Sequence, residues 1–176
     1  DATTPVILMG YLNPVEIMGY ETFAAEASSA GVDGLLTVDM PPEEAGELTA
    51  ILRDKDIDPI FLLAPTTEKP RIERICTLAS GFVYYVSLKG ITGAGHLDTD
   101  AVASRLGLIR SVTDLPVGVG FGIKDGESAA RVGAVADAVI VGSAVVNRMA
   151  ELESEADKIP QTLKNFMGEL RAALDR

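Results

Sequence analysis

Short apolar runs bounded by turn residues recur along the whole chain, at Pro5 to Tyr11, Gly34 to Met40, Pro59 to Pro65, Phe82 to Lys89, Pro116 to Gly122 and Ala138 to Ser143. Runs of this length read as buried strands. They are apolar at successive positions, as in PVILMGY and PIFLLAP, which suits strands covered on both faces and predicts a parallel sheet. Helix-length amphipathic segments lie between them. Phe23, Ala24 and Ala27 mark the first, Leu48, Ile51 and Leu52 the second, and Ile72, Ile75 and Leu78 the third, each set recurring at helical spacing. Pro42 followed by Glu43 and Glu44 suits a helix start, because proline fits a first turn and carboxylates favour the positive end of the helix dipole. AGVDG and VGAVADA return the chain to a strand through glycine turns. The pattern is a βα unit repeated six times, then a C-terminal helix from about Pro160 to Leu174.

Successive strand starts lie roughly 22 to 34 residues apart, the length of a strand, a helix and two short loops. That spacing fits a (β/α)8 barrel or an open doubly wound sheet. The barrel is favoured because no GxGxxG follows the first strand and the last two strands both finish in glycine turns, GFG and GS. A closed barrel has eight strands in about 250 residues, whereas this chain shows six in 176 and enters a strand directly after DATTP. The expectation is one partial TIM-barrel domain over residues 1–176, without its first two βα units.

Composition narrows the function. Fifteen Lys and Arg against 26 Asp and Glu give a formal charge of −11, which opposes attraction to nucleic acid or to an anionic membrane. Cys76 and His96 are the only cysteine and histidine, so no disulfide and no zinc site of the usual kind is expected. Cys76 reads as a half-buried helix residue. No run reaches the roughly 18 apolar residues of a membrane span, and the N-terminus lacks signal-peptide character. The cytoplasm is the expected compartment.

In a parallel barrel the chemistry sits where the strands end. That rule selects Tyr11, Asp39, Tyr84, Tyr85, the stretch Lys89 to His96, Gly120 to Ile123, and Gly142 with Ser143. Gly122, Gly142 and Ser143 place backbone N–H groups beside helix starts, where they can point at an anion without any lysine or arginine. The alternative is that these glycines simply turn strand into helix. KGITGAGH reads as a lid over a substrate or as a plain connection. Asp39 either contacts substrate or caps the helix that follows, and Tyr11, before the polar turn LNP, lines the pocket or packs its mouth.

The motifs together resemble the tryptophan synthase α subunit family. PVILMGYLNPVEIMGYETF is similar to that family's third strand and following helix, GVDGLLTVDMPPEE to its fourth strand and acidic turn, and PIFLLAPTT to its fifth strand. GFVYYVSLKGITGAG resembles its sixth strand and mobile loop, and PVGVGFGI and AVIVGSAVV its two phosphate-binding turns. The resemblance covers nearly the whole chain, in order.

It implies a lyase that cleaves indole-3-glycerol phosphate to indole and glyceraldehyde 3-phosphate in tryptophan biosynthesis. It also implies substrate contacts at Tyr11, Tyr84 and Thr92, beside the Asp39 selected by its position, and phosphate contacts at Gly93, Phe121, Gly122, Gly142 and Ser143. No metal is implied. Pyridoxal phosphate is expected only on a partner β subunit, met in a heterotetramer through the surface around Asn13, Pro14, Pro41 and Pro42. The family's acid and base, a Glu ending the second strand and an Asp in the next loop, match nothing here. If these residues are the whole molecule, a phosphate-binding scaffold with little lyase activity is expected, since each lost group typically costs about 10²- to 10⁴-fold. Two alternatives stand beside this one. Another phosphate-binding barrel, an epimerase or isomerase, would be expected to show metal-binding histidines or a strand-borne lysine. A non-catalytic fragment would pair with itself through exposed strand edges.

Overall fold

The computed structural model describes residues 3–87, 99–120 and 122–175. The six expected strands are present as β1 (Ile7–Gly10), β2 (Gly34–Thr37), β3 (Asp58–Leu63), β4 (Val83–Val86), β5 (Val117–Gly120) and β6 (Ala138–Ile140). They hydrogen-bond in chain order. The helices are α1 (Leu12–Met18), α2 (Tyr20–Ser29), α3 (Gly46–Arg53), α4 (Lys69–Leu78), α5 (Thr99–Arg110), α6 (Gly126–Gly133), α7 (Ser143–Ala150) and α8 (Ile159–Leu174), with a 3-10 turn at Glu153–Lys158 ahead of the last.

Three local differences from the sequence pattern have physical causes. The apolar runs outlast most of the strands, because residues such as Met40, buried at 8% exposure, pack the turn beyond β2 instead of joining its ladder. The polar stretch after Tyr11 is the short helix α1, separated from α2 by Gly19, whose φ of +83° is a left-handed conformation that glycine adopts without a Cβ clash. Pro42 begins a turn, and α3 starts only at Gly46. The C-terminal helix lies where its pattern placed it.

The described residues fall into two compact units. One takes in Asp1–Tyr84 with Ile109–Pro116. Within it β1 and β2 pair in parallel from Ile7 opposite Gly34 to Gly10 opposite Thr37, and β2 and β3 from Gly34 opposite Asp58 to Leu36 opposite Ile60. Leu35, Leu36, Leu48, Leu52, Ile60, Leu63 and Ile72 are buried here. Strand β1 lies at the end of the strand order and is the exception, with Val6 49% and Met9 61% exposed.

The other unit takes in Tyr85–Leu108 with Val117–Arg176. In it β5 pairs in parallel with β6, and α6 packs on α8. Leu106, Val117, Val119, Val132, Phe166 and Leu170 are among its buried apolar residues.

One device recurs in both units. Asp33, which closes AGVD, accepts the Val6 N–H through Oδ2 at 2.7 Å, and Asp137, which closes VGAVAD, accepts the Val117 N–H through Oδ2 at 2.9 Å. Each carboxylate sits at the start of one strand and satisfies an amide at the start of the strand before it. Charge-assisted bonds of this kind are stronger than neutral ones, so they help set the register of parallel neighbours.

Candidate anion-binding site

The β5–β6 register places Gly118 opposite Ala138, Val119 opposite Val139 and Gly120 opposite Ile140. The chain therefore leaves the two strands side by side and in step. Gly122, two residues beyond Gly120, has φ +73°, a region costly for any residue carrying a Cβ. Gly142, two residues beyond Ile140, is the N-cap of α7, makes no side-chain cap bond, and is followed by Ser143 as the first helical residue. The α7 ladder begins with the Gly142 carbonyl, which accepts from the Val145 and Val146 amides at 2.9 and 3.2 Å. Gly122, Gly142 and Ser143 are exposed, and a Cβ added at either glycine would meet nothing within 4 Å. The first amides of α7 have no partner within it and lie at the positive end of its dipole, so the open corner at Gly142 and Ser143 suits an anion, whereas Gly122 lies four residues before α6 and offers open left-handed backbone.

The corner after β5 is held by a capping box that the sequence pattern did not single out. Asp125 caps α6, its carboxylate accepting from the Ser128 N–H at 2.8 Å, while the Ser128 hydroxyl oxygen accepts from the Lys124 and Asp125 amides at 3.1 and 3.2 Å. The Asp-x-x-Ser spacing was the available signal. The backbone and side-chain hydrogen bonds from Ser128 hold the Asp125 carboxyl below the usual carboxylate range.

The other candidates belong mostly to the first unit. Tyr11 is the N-cap of α1 and is 67% exposed. Asp39 does not cap the helix that follows it; its Oδ1 accepts from the Leu12 N–H at 2.8 Å, on the first residue of α1. Tyr84 is half-buried on β4, and burial pushes its phenol pKa up. Tyr85, the next residue, is buried, and burial also raises its phenol against the opposing pull of Arg105. Asn13 and Pro14 are exposed in α1, Pro41 is partly exposed, and Pro42 is buried at the start of its turn. Thr92, Gly93, Phe121 and the stretch Lys89 to His96 lie outside the described residues. Among the described residues no group of three or more His, Cys, Asp and Glu side chains could hold a metal ion, and no helix is long and apolar enough to cross a membrane.

Six parallel strands in chain order with helical crossovers, and glycine corners after the last two, define a protein built as consecutive βα units of a (β/α)8 barrel. The chain belongs to the tryptophan synthase alpha chain family, whose model matches residues 1–175. It is 65% identical to the tryptophan synthase alpha chain of Thioalkalivibrio sulfidiphilus over 175 residues, covering 99% of this chain and 66% of that protein. The Alkalilimnicola ehrlichii protein of the same description is 60% identical, with 99% and 64% covered. The chain thus spans about two thirds of the length of these curated relatives. Among solved structures, tryptophan synthase subunit alpha from Legionella pneumophila superposes with a TM-score of 0.88 at 40% identity, over 99% of this chain and 64% of that one. A chain from a structural study of mutual activation in the tryptophan synthase a2b2 complex of Pyrococcus furiosus superposes with a TM-score of 0.86 at 36% identity, over 98% of this chain and 68% of that one.

Proposed function

We propose that this chain supplies the phosphate site and part of the substrate pocket of a lyase that cleaves indole-3-glycerol phosphate to indole and glyceraldehyde 3-phosphate in tryptophan biosynthesis. The observation that carries the reading is the in-step departure of the chain from β5 and β6 into two open corners, at Gly122 and at Gly142 with Ser143. A phosphate held by backbone amides needs no counter-charged side chain, which suits a chain of net charge −11. Fixing that end of the substrate aligns the bond to be broken, and such positioning contributes to the rate by removing translational and rotational freedom. In the retro-aldol step the indole carbon gains a proton while the ring nitrogen gives one up; a glycerol hydroxyl is then deprotonated as the carbon–carbon bond breaks to leave the aldehyde, and the bonding electron pair returns to the ring, whose nitrogen takes a proton back to give indole. Tyr11, Asp39 and Tyr84 are proposed to line the substrate; Thr92, Gly93 and Phe121 join the site through the family resemblance. The acid and base implied by that resemblance have no counterparts among these 176 residues, so the proposed share of this chain is binding and orientation within one barrel domain.

The proposed partner is a tryptophan synthase β subunit carrying pyridoxal phosphate, in a heterotetramer located in the cytoplasm. Asn13 and Pro14 lie on the α1 turn that Asp39 bonds, so the two segments proposed for this contact are tied together. Titration of the isotopically labelled chain with inorganic phosphate tests the site: the amide signals of Gly122, Gly142 and Ser143 are expected to move together, and unmoved signals would refute it. Indole release by the full-length protein, with and without a β subunit, tests the reaction.

A further inference from the structure

Arg148 connects the two corners. It lies on α7, and its Nη1 donates to the Ala144 carbonyl at 2.8 Å, in the helix turn that starts at Ser143. Its Nη2 reaches the Lys124 carbonyl at 3.4 Å, two residues beyond Gly122 in the other corner. The guanidinium carbon stands 3.5 Å from the centroid of the Phe166 ring, itself buried in α8 at 4% exposure. A planar group with a donor on each side and an aromatic ring against it has little freedom to reorient. The same peptide segment is held from the opposite direction, since the Lys124 N–H donates to the Ser128 hydroxyl at 3.1 Å.

We propose that Arg148 is a positioning residue for phosphate binding: its guanidinium bridges the β5–α6 and β6–α7 corners and fixes their spacing, so that amides from both converge on one anion. The inference rests on the phosphate reading above. Arg148 acts through the backbone it holds, and its positive charge adds attraction within an acidic chain. Lysine cannot reproduce the effect, because an ammonium is a compact point donor without the flat face that packs on Phe166 or the fork that spans two carbonyls.

The test is titration of inorganic phosphate into the wild-type chain, Arg148→Lys and Arg148→Met, followed by amide signals, with thermal unfolding of each. Arg148→Met keeps an apolar contact with Phe166, and Arg148→Lys keeps the charge. Both variants are expected to bind phosphate at least about tenfold more weakly, the size of one lost charge-assisted contact, while still unfolding cooperatively. In both, the Gly122 and Ser143 signals are expected to lose their common titration midpoint. Wild-type-like binding by Arg148→Lys would show that charge alone matters and overturn the bridge, as would undiminished binding by both variants. Failure of both variants to fold would make Arg148 a folding determinant and overturn the assignment. Absence of phosphate binding by the wild type would instead remove the phosphate reading itself, and the bridge with it.

Discussion

The Asp39 carboxylate accepts a 2.8 Å hydrogen bond from the Leu12 amide, a residue 27 positions earlier in the chain. A residue two positions beyond β2 thereby satisfies the start of α1, where Tyr11 offers no side-chain cap of its own. Asp39→Ala is expected to destabilise the chain by about 1 kcal/mol, the usual cost of a lost helix cap. Asp39→Asn keeps an acceptor and is expected to cost less. Urea unfolding reads both, and an unchanged midpoint for Asp39→Ala would remove the capping role.

The Asp125 capping box adds a pH dependence. Its folded-state pKa lies below the ordinary aspartate value because Ser128 donates to the ionised carboxylate. A depressed pKa contributes stability that is present above the unfolded-state value and lost as pH falls through the folded-state value. The difference in melting temperature between wild type and Asp125→Ala is therefore expected to be full near pH 7 and to shrink in strong acid. A difference that stayed constant down to that range would show that the ionised carboxylate is not what stabilises α6.

Gly122→Ala tests the left-handed corner. The space around it is open, so the cost comes from φ +73° rather than from a clash. About 1–2 kcal/mol is expected for a Cβ in that region, with weakened phosphate binding as the corner shifts to relieve it. Gly142→Ala, at φ −113° and in equally open space, is expected to fold with little loss. Equal melting temperatures for Gly122→Ala and wild type would contradict the strain argument.

Cys76 is half-buried in α4, and burial raises its thiol pKa, partly offset by a hydrogen bond with Thr113. Less thiolate is then present at pH 8 than for free cysteine. Reaction with a disulfide reagent is expected to be slower than for a free thiol, with its pH-rate midpoint moved to higher pH. A midpoint below that of free cysteine would reverse the sign of the burial effect.

The strands were legible because apolar runs bounded by glycine and proline are dictated by burial on both faces of a parallel sheet, and all six appear. Their ends were less legible: Met40 is apolar for packing a turn, and a one-dimensional pattern does not separate that from strand pairing. Helix α1 was missed because Asn13 and Pro14 carry turn chemistry, and the cap that supports the helix comes from Asp39, far along the chain. The glycines of the last two corners could be singled out from their places after strands. Arg148 could not, since its relation to Lys124 and Phe166 arises from packing between α7, α8 and a loop that no local spacing encodes.

The water-facing side chains of β1 bear on how these 176 residues behave in concentrated solution. Val6, Ile7, Leu8 and Met9 present a ribbon of branched and thioether groups at the end of the sheet order, and a flat greasy flank of that kind is adhesive toward other extended polypeptide. A solution of these 176 residues is consequently expected to scatter more light as its concentration rises.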